Sequence, residues 1–271
     1  VRLTASKPGA LNFTYRPTIP FVRDYDREPG DGGGRTANIE IDGNRAVMHG
    51  QMNFYRIQYA AYSSVDTDGT VTGEKDAIRV EGASYAVIYF CTDTNYKISP
   101  RVFLEEDPTK KLDYEDVRPR VSGMLTAAEL IGYDNLKARH IEDYRSIYAR
   151  TEFEIDGVEV PDVETTELIR RAFAGEDIPY LEMLYFQFGR YLLISSSRPG
   201  RLPANLQGIW NAHDESPWGA GYWFNINVQM NYWPVFSTNM AEMFEAYADL
   251  FEAVVPKGHE YASEFVKENN P

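Results

Sequence analysis

Residues 190–233 read RYLLISSSRPGRLPANLQGIWNAHDESPWGAGYWFNINVQMNYW. All four tryptophans of the chain fall here (Trp210, Trp218, Trp223, Trp233), with Asn205, Asn211, Asn225, Asn227 and Asn231 between them. Amides at this density do not suit a packed core, and this many indoles do not suit an ordinary surface loop. Neutral hydrogen-bonding groups beside aromatic faces match a neutral ligand with many hydroxyls and apolar C–H faces, as a sugar has. The stretch sits between two apolar helical patterns. A connection this long inside a compact domain is usually functional.

Upstream, Asp177-Ile178-Pro179 predicts the start of a helix through Ile194, apolar around most of its circumference and therefore an inner helix. SSSRPG stops it, and residues 195–239 read as one long non-helical connection. Downstream, a helical pattern runs from about Ala241 until Pro256 and Gly258 break it, and Tyr261–Val266 begins another. Toward the N-terminus, 126–150 predicts one or two amphipathic helices, 151–163 an extended excursion, and 164–174 a helix ended by Gly175. Residues 1–123 read as β. NFTYRPTIPF, GNRAVMHGQM, FYRIQYAAYSSV, GTVTGEKDAIRVEG and SYAVIYFCT are separated by turn residues, and Phe54, Arg56 and Gln58 alternate with Tyr55, Ile57 and Tyr59 as in a half-buried strand. This spacing suggests an antiparallel sandwich. Residues 108–120 read as a charged surface connection.

The chain has 271 residues, 43% hydrophobic and 14% aromatic, enough for a sizeable core. A formal net charge of −14 argues against nucleic acid and against an anionic membrane surface. No apolar run approaches the ~20 residues that span a bilayer. The single cysteine, Cys91, lies in an apolar run and reads as a small buried hydrophobe, so no disulfide or cysteine-based metal site forms within the chain. The four histidines, His49, His140, His213 and His259, lack metal-ligand spacing. No metal and no cofactor is expected. Val1–Phe13 already looks like the inside of a domain, which suggests a piece of something longer.

The run FQFGRYLLISSSRPGRLPANLQGIWN…PWG…NINVQMNYWP resembles glycoside hydrolase family 95, best known for α-L-fucosidases. LKARHIEDYRSIY is similar to that family's linker helix, and GTVTGEKDAIRVEGASYAVIYFCTDTNY to the last strands of its N-terminal sandwich. The resemblance implies a multidomain β plus α fold. An antiparallel β-sandwich (1–123) would be followed by a helical linker (124–175) and the first helices of an incomplete (α/α)6 barrel (176–271). It implies hydrolysis of a terminal α-L-fucoside with inversion, which needs a general acid on one face and an activated water on the other. The family's water-holding asparagine pair matches Asn225 and Asn227. The acid, a Glu, and an assisting Asp match no carboxylate here, so the chain by itself is expected to be inactive. Such enzymes usually work outside the cytoplasm, which predicts an extracellular or periplasmic location.

Two asparagines at i and i+2 of an extended segment point to one side and could together accept hydrogen bonds from one water. An amide orients that water, but the proton must pass to a carboxylate. Trp223 stands where many fucosidases of the family have His, which leaves a related L-sugar such as L-galactose open. Trp223, Trp210, Asn211 and His213 are the candidate substrate contacts, and the partner is an oligosaccharide or glycan. Each has a plainer reading. The asparagines could serve a turn, the indoles could be core, and His213 could make only a loop hydrogen bond. Asn205, Gln207 and Asn211 lean toward structural support, and Asn231 toward tying a loop. Adjacent Asp214 and Glu215 read as solvated, Glu182 and Glu242 as surface charges, His140 as a packing residue, and Gly30, Gly32, Gly33 and Gly34 as a turn. The rival function is a non-catalytic carbohydrate-binding or scaffold fragment, with the same amide and aromatic richness but no acid–base pair.

Overall fold

A computed structural model describes residues 1–19, 34–213 and 216–269. Gly30, Gly32, Gly33, Asp214 and Glu215 lie outside the described residues. Contacts divide the chain into two compact units, Val1–Arg139 with Ala253–Pro271, and His140–Glu252.

The first unit is built on two antiparallel sheets. Strands β1 (Arg2–Thr4), β3 (Asn38–Asp42), β4 (Arg45–Gln51), β5 (Gln58–Thr67) and β8 (Tyr85–Thr94) form one, in the order β1-β8-β5-β4-β3. Strands β2 (Leu11–Tyr15), β6 (Thr70–Gly73) and β7 (Ile78–Ala83) form the other, in the order β2-β7-β6. β5 and β8 pair along their whole lengths, from Tyr59 opposite Thr94 to Thr67 opposite Ala86. Side chains of both sheets meet in one core: Ala46, Val65 and Ala86 from the larger, Ile78, Val80 and Ala83 from the smaller. The other face of the larger sheet is covered by a helix, through Ala60 with Val121 and Val87 with Leu125. Central strands buried on both faces explain why β5 and β8 read as near-continuous apolar runs rather than clean alternation. Cys91 is half-buried beside this helix, and burial pushes its thiol up.

Two short strands, β1 and β3, were not legible as such, and one expected stretch of strand is corrected. Phe54–Arg56 is a 3₁₀ turn between β4 and β5, with Tyr55 and Arg56 at φ 51° and 53°. Each left-handed non-glycine residue costs ~1–2 kcal/mol, so the alternation across 54–59 was a coincidence of composition.

Helix α1 (Pro100–Leu104) and helix α2 (Arg118–Ile131) begin inside or near the segment expected to be a surface connection, and α3 spans Tyr133–Tyr148. Gly132 separates α2 from α3 at φ 78°, donating its N–H to Ala128 at 3.0 Å. With ψ at 157° this is an extended backbone of positive φ, which glycine adopts without steric penalty.

In the second unit α4 (Thr165–Phe173) and α5 (Pro179–Ser196) match expectation. The excursion at 151–163 contains no strand. α5 is not enclosed as an inner helix. Leu193 and Ile194 are buried, while Tyr185, Phe188 and Tyr191 are 82%, 51% and 41% exposed. The long connection is interrupted by a 3₁₀ turn (Pro217–Ala220) and by α6 (Asn227–Tyr232). The last helix is also corrected. After a 3₁₀ turn at Ala241–Met243, α7 runs unbroken from Phe244 to Asn269, through Pro256 and Gly258. Its buried residues Ala246, Leu250 and Ala253 recur at helical spacing just before the proline. Their packing outweighs one absent hydrogen bond.

Candidate functional site

α6 is only six residues long and owes its place to its inward face. Val228 and Tyr232 are 1% and 3% exposed. The Tyr232 hydroxyl lies 2.6 Å from Ser197 Oγ and accepts the Ala204 N–H at 2.8 Å. Burial raises the Tyr232 phenol above its ordinary value, so it stays protonated. Asn231 Nδ2 donates to the carbonyls of Ala204 and Asn205 at 3.3 and 3.2 Å. This is the tying role expected of Asn231, although it holds residues 204–205 rather than the turn before Pro234. A relay of rings continues the support. Tyr232 packs on Tyr247 (5.0 Å), Tyr247 on Phe251 (4.4 Å), and Phe251 edge-on against Phe224 (5.3 Å).

On this base sit the two asparagines. Asn225 lies in the turn entering α6 and Asn227 is its first residue; both side chains are exposed. The expected extended segment is thus a turn running into a helix. The rule that i and i+2 share a side belongs to strands and does not carry over. Val228, three residues after Asn225, is drawn into the core, and that forces the chain to coil here. The turn is held by the Val228 N–H on the Trp223 carbonyl at 3.4 Å and by Gln229 Nε2 donating to the Phe224 carbonyl.

The loop before it is strained. Trp218, Ala220 and Trp223 have φ of 52°, 47° and 45°. Non-glycine residues in this region persist only where surroundings enforce them, and they cluster at functional sites. Trp223 is 48% exposed, and its indole N–H donates to the Trp218 carbonyl at 3.2 Å. Its donor is therefore engaged within the loop, and what it offers outward is its ring face.

Trp210 is elsewhere. It lines a cavity of about 310 Å³ with Asn205, Gln207, Asn231, Leu192 and Ser196, none of which is Asn225, Asn227 or Trp223. Gln207 Oε1 and Gln229 Oε1 are buried acceptors without a protein partner. Buried polar atoms are normally paired, and Gln207 leaves an open acceptor in the wall of this cavity. Asn211 and His213 bond each other: Asn211 Nδ2 donates to the His213 carbonyl at 2.7 Å, and the His213 N–H to Asn211 Oδ1 at 3.0 Å. These bonds use the Asn211 amide and the His213 backbone, and both residues remain exposed.

One organising residue was missed as such. Arg190 on α5 is 2% exposed. Its Nη1 donates to the carbonyls of Tyr148 (2.9 Å) and Thr151 (2.8 Å) and to Gln187 Oε1 (3.1 Å), and Nη2 to Ile147 (3.3 Å). The guanidinium lies 5.0 Å from the Tyr148 ring centroid. A cation here satisfies the Tyr148 and Thr151 carbonyls at and just past the end of α3, and adds a second donor to the Ile147 carbonyl, which already takes the Arg150 N–H at 3.2 Å. The available signal was an arginine in an apolar helical run, which must find several acceptors if buried.

Glu242 is bound to Arg150 at 2.6 Å; burial opposes its ionisation, but its own backbone N–H and Arg150 hold it below the usual range. Glu182 is exposed, and His140 stacks on Tyr144 at 6.4 Å while remaining exposed. Among the described residues, no group of three or more His, Cys, Asp or Glu could hold a metal ion, and no helix is long and apolar enough to cross a membrane.

The comparisons agree with this part of the chain. The Glycosyl hydrolase family 95 catalytic domain matches residues 132–270, just over half of the sequence. "Probable alpha-fucosidase A" of Aspergillus niger is 31% identical over 235 residues, 83% of this chain and 29% of that protein. "Alpha-L-fucosidase 2" of Arabidopsis thaliana is 29% identical over 282 residues, 96% of this chain and 32% of that protein. "Probable alpha-fucosidase A" of Aspergillus oryzae is 36% identical over 166 residues, 59% and 21%. The chain therefore spans about a third or less of the curated relatives it matches. A catalytic-domain match that begins at Gly132, where α2 gives way to α3, and takes in the whole Trp- and Asn-rich stretch carries the assignment: the chain belongs to glycosyl hydrolase family 95.

Proposed function

We propose that this chain forms part of an inverting glycoside hydrolase that releases terminal α-L-fucose, or a related L-sugar such as L-galactose, from a glycan. The carrying observation is that the family 95 catalytic domain matches across Asn225 and Asn227, two exposed amides on one turn braced by α6 and the Phe224–Phe251 ring contact. The names of the relatives supply the sugar. In this reading both asparagine oxygens accept from the attacking water and fix its approach to the anomeric carbon. The water's proton passes to a carboxylate, because an amide is too weak a base to keep it. A separate acid protonates the leaving oxygen from the opposite face. Trp223 presents its ring to the sugar, and Trp210 with Asn205 and Gln207 lies further along the glycan. Asn211 and His213, on the loop between the two indoles, are further substrate contacts.

The architecture that goes with this reading is a β-sandwich ending in the paired sheets of the first unit, a linker through α2 to α4, and an (α/α)6 barrel beginning at α5. We place such an enzyme outside the cytoplasm, where it meets glycans. In the full-length protein, Asn225→Ala and Asn227→Ala are each expected to lower kcat on an aryl α-L-fucoside by roughly 10²-fold or more, with little change in KM. Unchanged turnover in both variants rejects the water-holding role.

A further inference from the structure

The first unit contains a cleft that hydrolysis does not explain. Two adjoining depressions, of about 260 and 170 Å³, share Gln51, Gln58 and Tyr114 in their walls. One wall is the end of the β4–β5 pair; the other is the segment leading into α2.

The cleft is built rather than incidental. A buried side chain, Asn95, clamps its walls together: Asn95 Oδ1 accepts the Gln58 N–H at 2.8 Å, and Nδ2 donates to the Asp113 carbonyl at 2.8 Å. At Gly50 the strands come so close that a Cβ would lie 2.0 Å from the Thr36 carbonyl oxygen and 2.7 Å from the Tyr59 hydroxyl, so only glycine fits. Tyr59 donates to that same carbonyl at 2.6 Å. The two left-handed residues, Tyr55 and Arg56, sit at the rim, with Arg56 in the wall. Tyr55 is fixed under the Lys111 ammonium, 5.2 Å from its ring centroid.

Most charges of the cleft wall are held in ion pairs, while Arg56 makes none among the described residues. Arg118 holds Asp116 through two contacts of 2.8 Å, Glu115 pairs with Arg120 and Lys97, and Asp113 with Arg101. The uncharged groups of the wall include Gln51 and Gln58, both partly exposed, and Tyr114. Gln58 Nε2 is engaged by Gln51 Oε1 (2.7 Å) and the Arg56 carbonyl (3.0 Å). That leaves Gln58 Oε1 as an acceptor and Gln51 Nε2 as a donor, side by side. Tyr114 is 76% exposed. Paired amide donor and acceptor beside an open phenol ring suit vicinal hydroxyls and the C–H face of a sugar, and offer little to an ionic ligand.

We infer that this cleft, walled by Gln51, Gln58 and Tyr114, is a non-catalytic binding site for a neutral saccharide. It stands on the geometry of the first unit and does not depend on the asparagine pair being catalytic. The full-length protein should be retarded in native gels containing a neutral polysaccharide, with xyloglucan, galactomannan and arabinoxylan as probes and polygalacturonate as the anionic counterpart. Retardation by at least one neutral polymer is expected, weakened at least ten-fold by Tyr114→Ala and by Gln51→Ala, retained in Tyr114→Phe and in Asn227→Ala, and absent with polygalacturonate. Tyr114 is exposed, so its removal leaves the fold intact, which an unchanged melting temperature checks. No retardation by any neutral polymer overturns the proposal, as does retardation indifferent to Tyr114→Ala and Gln51→Ala, or retardation lost only in Asn227→Ala. A Tyr114-dependent response to polygalacturonate overturns the assignment to a neutral ligand.

Discussion

Tyr232 and Ser197, thirty-five residues apart in sequence, meet through hydroxyls 2.6 Å apart inside the second unit. This contact, with the Ala204 N–H on the same phenol oxygen, fixes α6 and so the position of Asn227. Tyr232→Phe keeps the ring contacts but leaves one backbone donor and one hydroxyl unpaired in a dry site. A loss of about 1–3 kcal/mol is expected, read as a lowered denaturation midpoint with unchanged slope. If the asparagines act as proposed, kcat falls as well while KM changes less. A variant as stable as the parent would mean that α6 is held by apolar packing alone.

Arg190→Met keeps much of the side-chain volume but strands the carbonyls of Tyr148 and Thr151. The expected cost is ~3 kcal/mol or more, since several buried acceptors lose a charged donor at once. Arg190→Lys retains the charge but cannot reach four acceptors from one planar fork, and is expected to fall between. Thermal or urea unfolding of the three proteins gives the order. Equal stability of the Lys and wild-type proteins would reduce Arg190 to a simple charge.

Trp223→His tests the sugar. Trp223 donates its indole N–H to Trp218 and presents a ring face outward, whereas an imidazole adds a polar edge. Relative kcat/KM for aryl α-L-fucoside over α-L-galactoside is expected to change by about 10-fold, the scale of 1–2 kcal/mol in pocket discrimination. A ratio that does not move removes Trp223 from the specificity of the enzyme.

The entry to α2 is expected to respond to acid. Arg118 beside Asp116, together with the Arg118 backbone N–H, holds the Asp116 carboxyl down to about 2 from an ordinary 3.8. A depressed folded value means that the contact stabilises the fold above the ordinary value and loses that contribution as pH falls from about 4 through 2. The Asp116 carboxyl carbon, followed by NMR, should titrate near 2 in the wild type and move toward 3.8 in Arg118→Gln. Asp116 titrating near 4 in the wild type would show that the pair is not formed in solution.

Local chemistry told the sequence a good deal. Gly175 and Pro179 bracketed α4 and α5 because helix ends are decided by backbone geometry within a few residues. The β-rich first part and helix from about residue 126 were likewise readable, although α2 starts eight residues earlier, at Arg118. What the residues did not disclose was set by contacts distant in sequence. FYRIQ alternates like a strand, yet 54–56 turns back to serve β4 and β5. NINV reads as extended until Val228 is drawn into the core and forces the turn into α6. Pro256 reads as a break until Ala246, Leu250 and Ala253 are seen to be buried. Of the candidate site, the asparagines and Trp223 stand together on one segment. Trp210 lines a cavity that does not include them, and the Asn211 amide is bonded to the His213 backbone. No local rule separates these three outcomes, because all arise from the same short run of polar and aromatic residues.

The unbroken course of α7 has a consequence for cooperativity. Proline carries no amide hydrogen, so at Pro256 the ladder loses a rung. The helix then behaves as two segments of about a dozen residues, a length at which an isolated helix is marginal in water. The segment before the proline is anchored by Ala246, Leu250 and Ala253. From Gly258 to Glu268 every residue is exposed, and the local help is Lys257, reaching Glu260 at 2.9 Å and lying 5.0 Å from the Tyr261 ring centroid. Pro256 therefore divides α7 into an anchored first segment, which carries the Phe251 ring against Phe224, and an exposed second one.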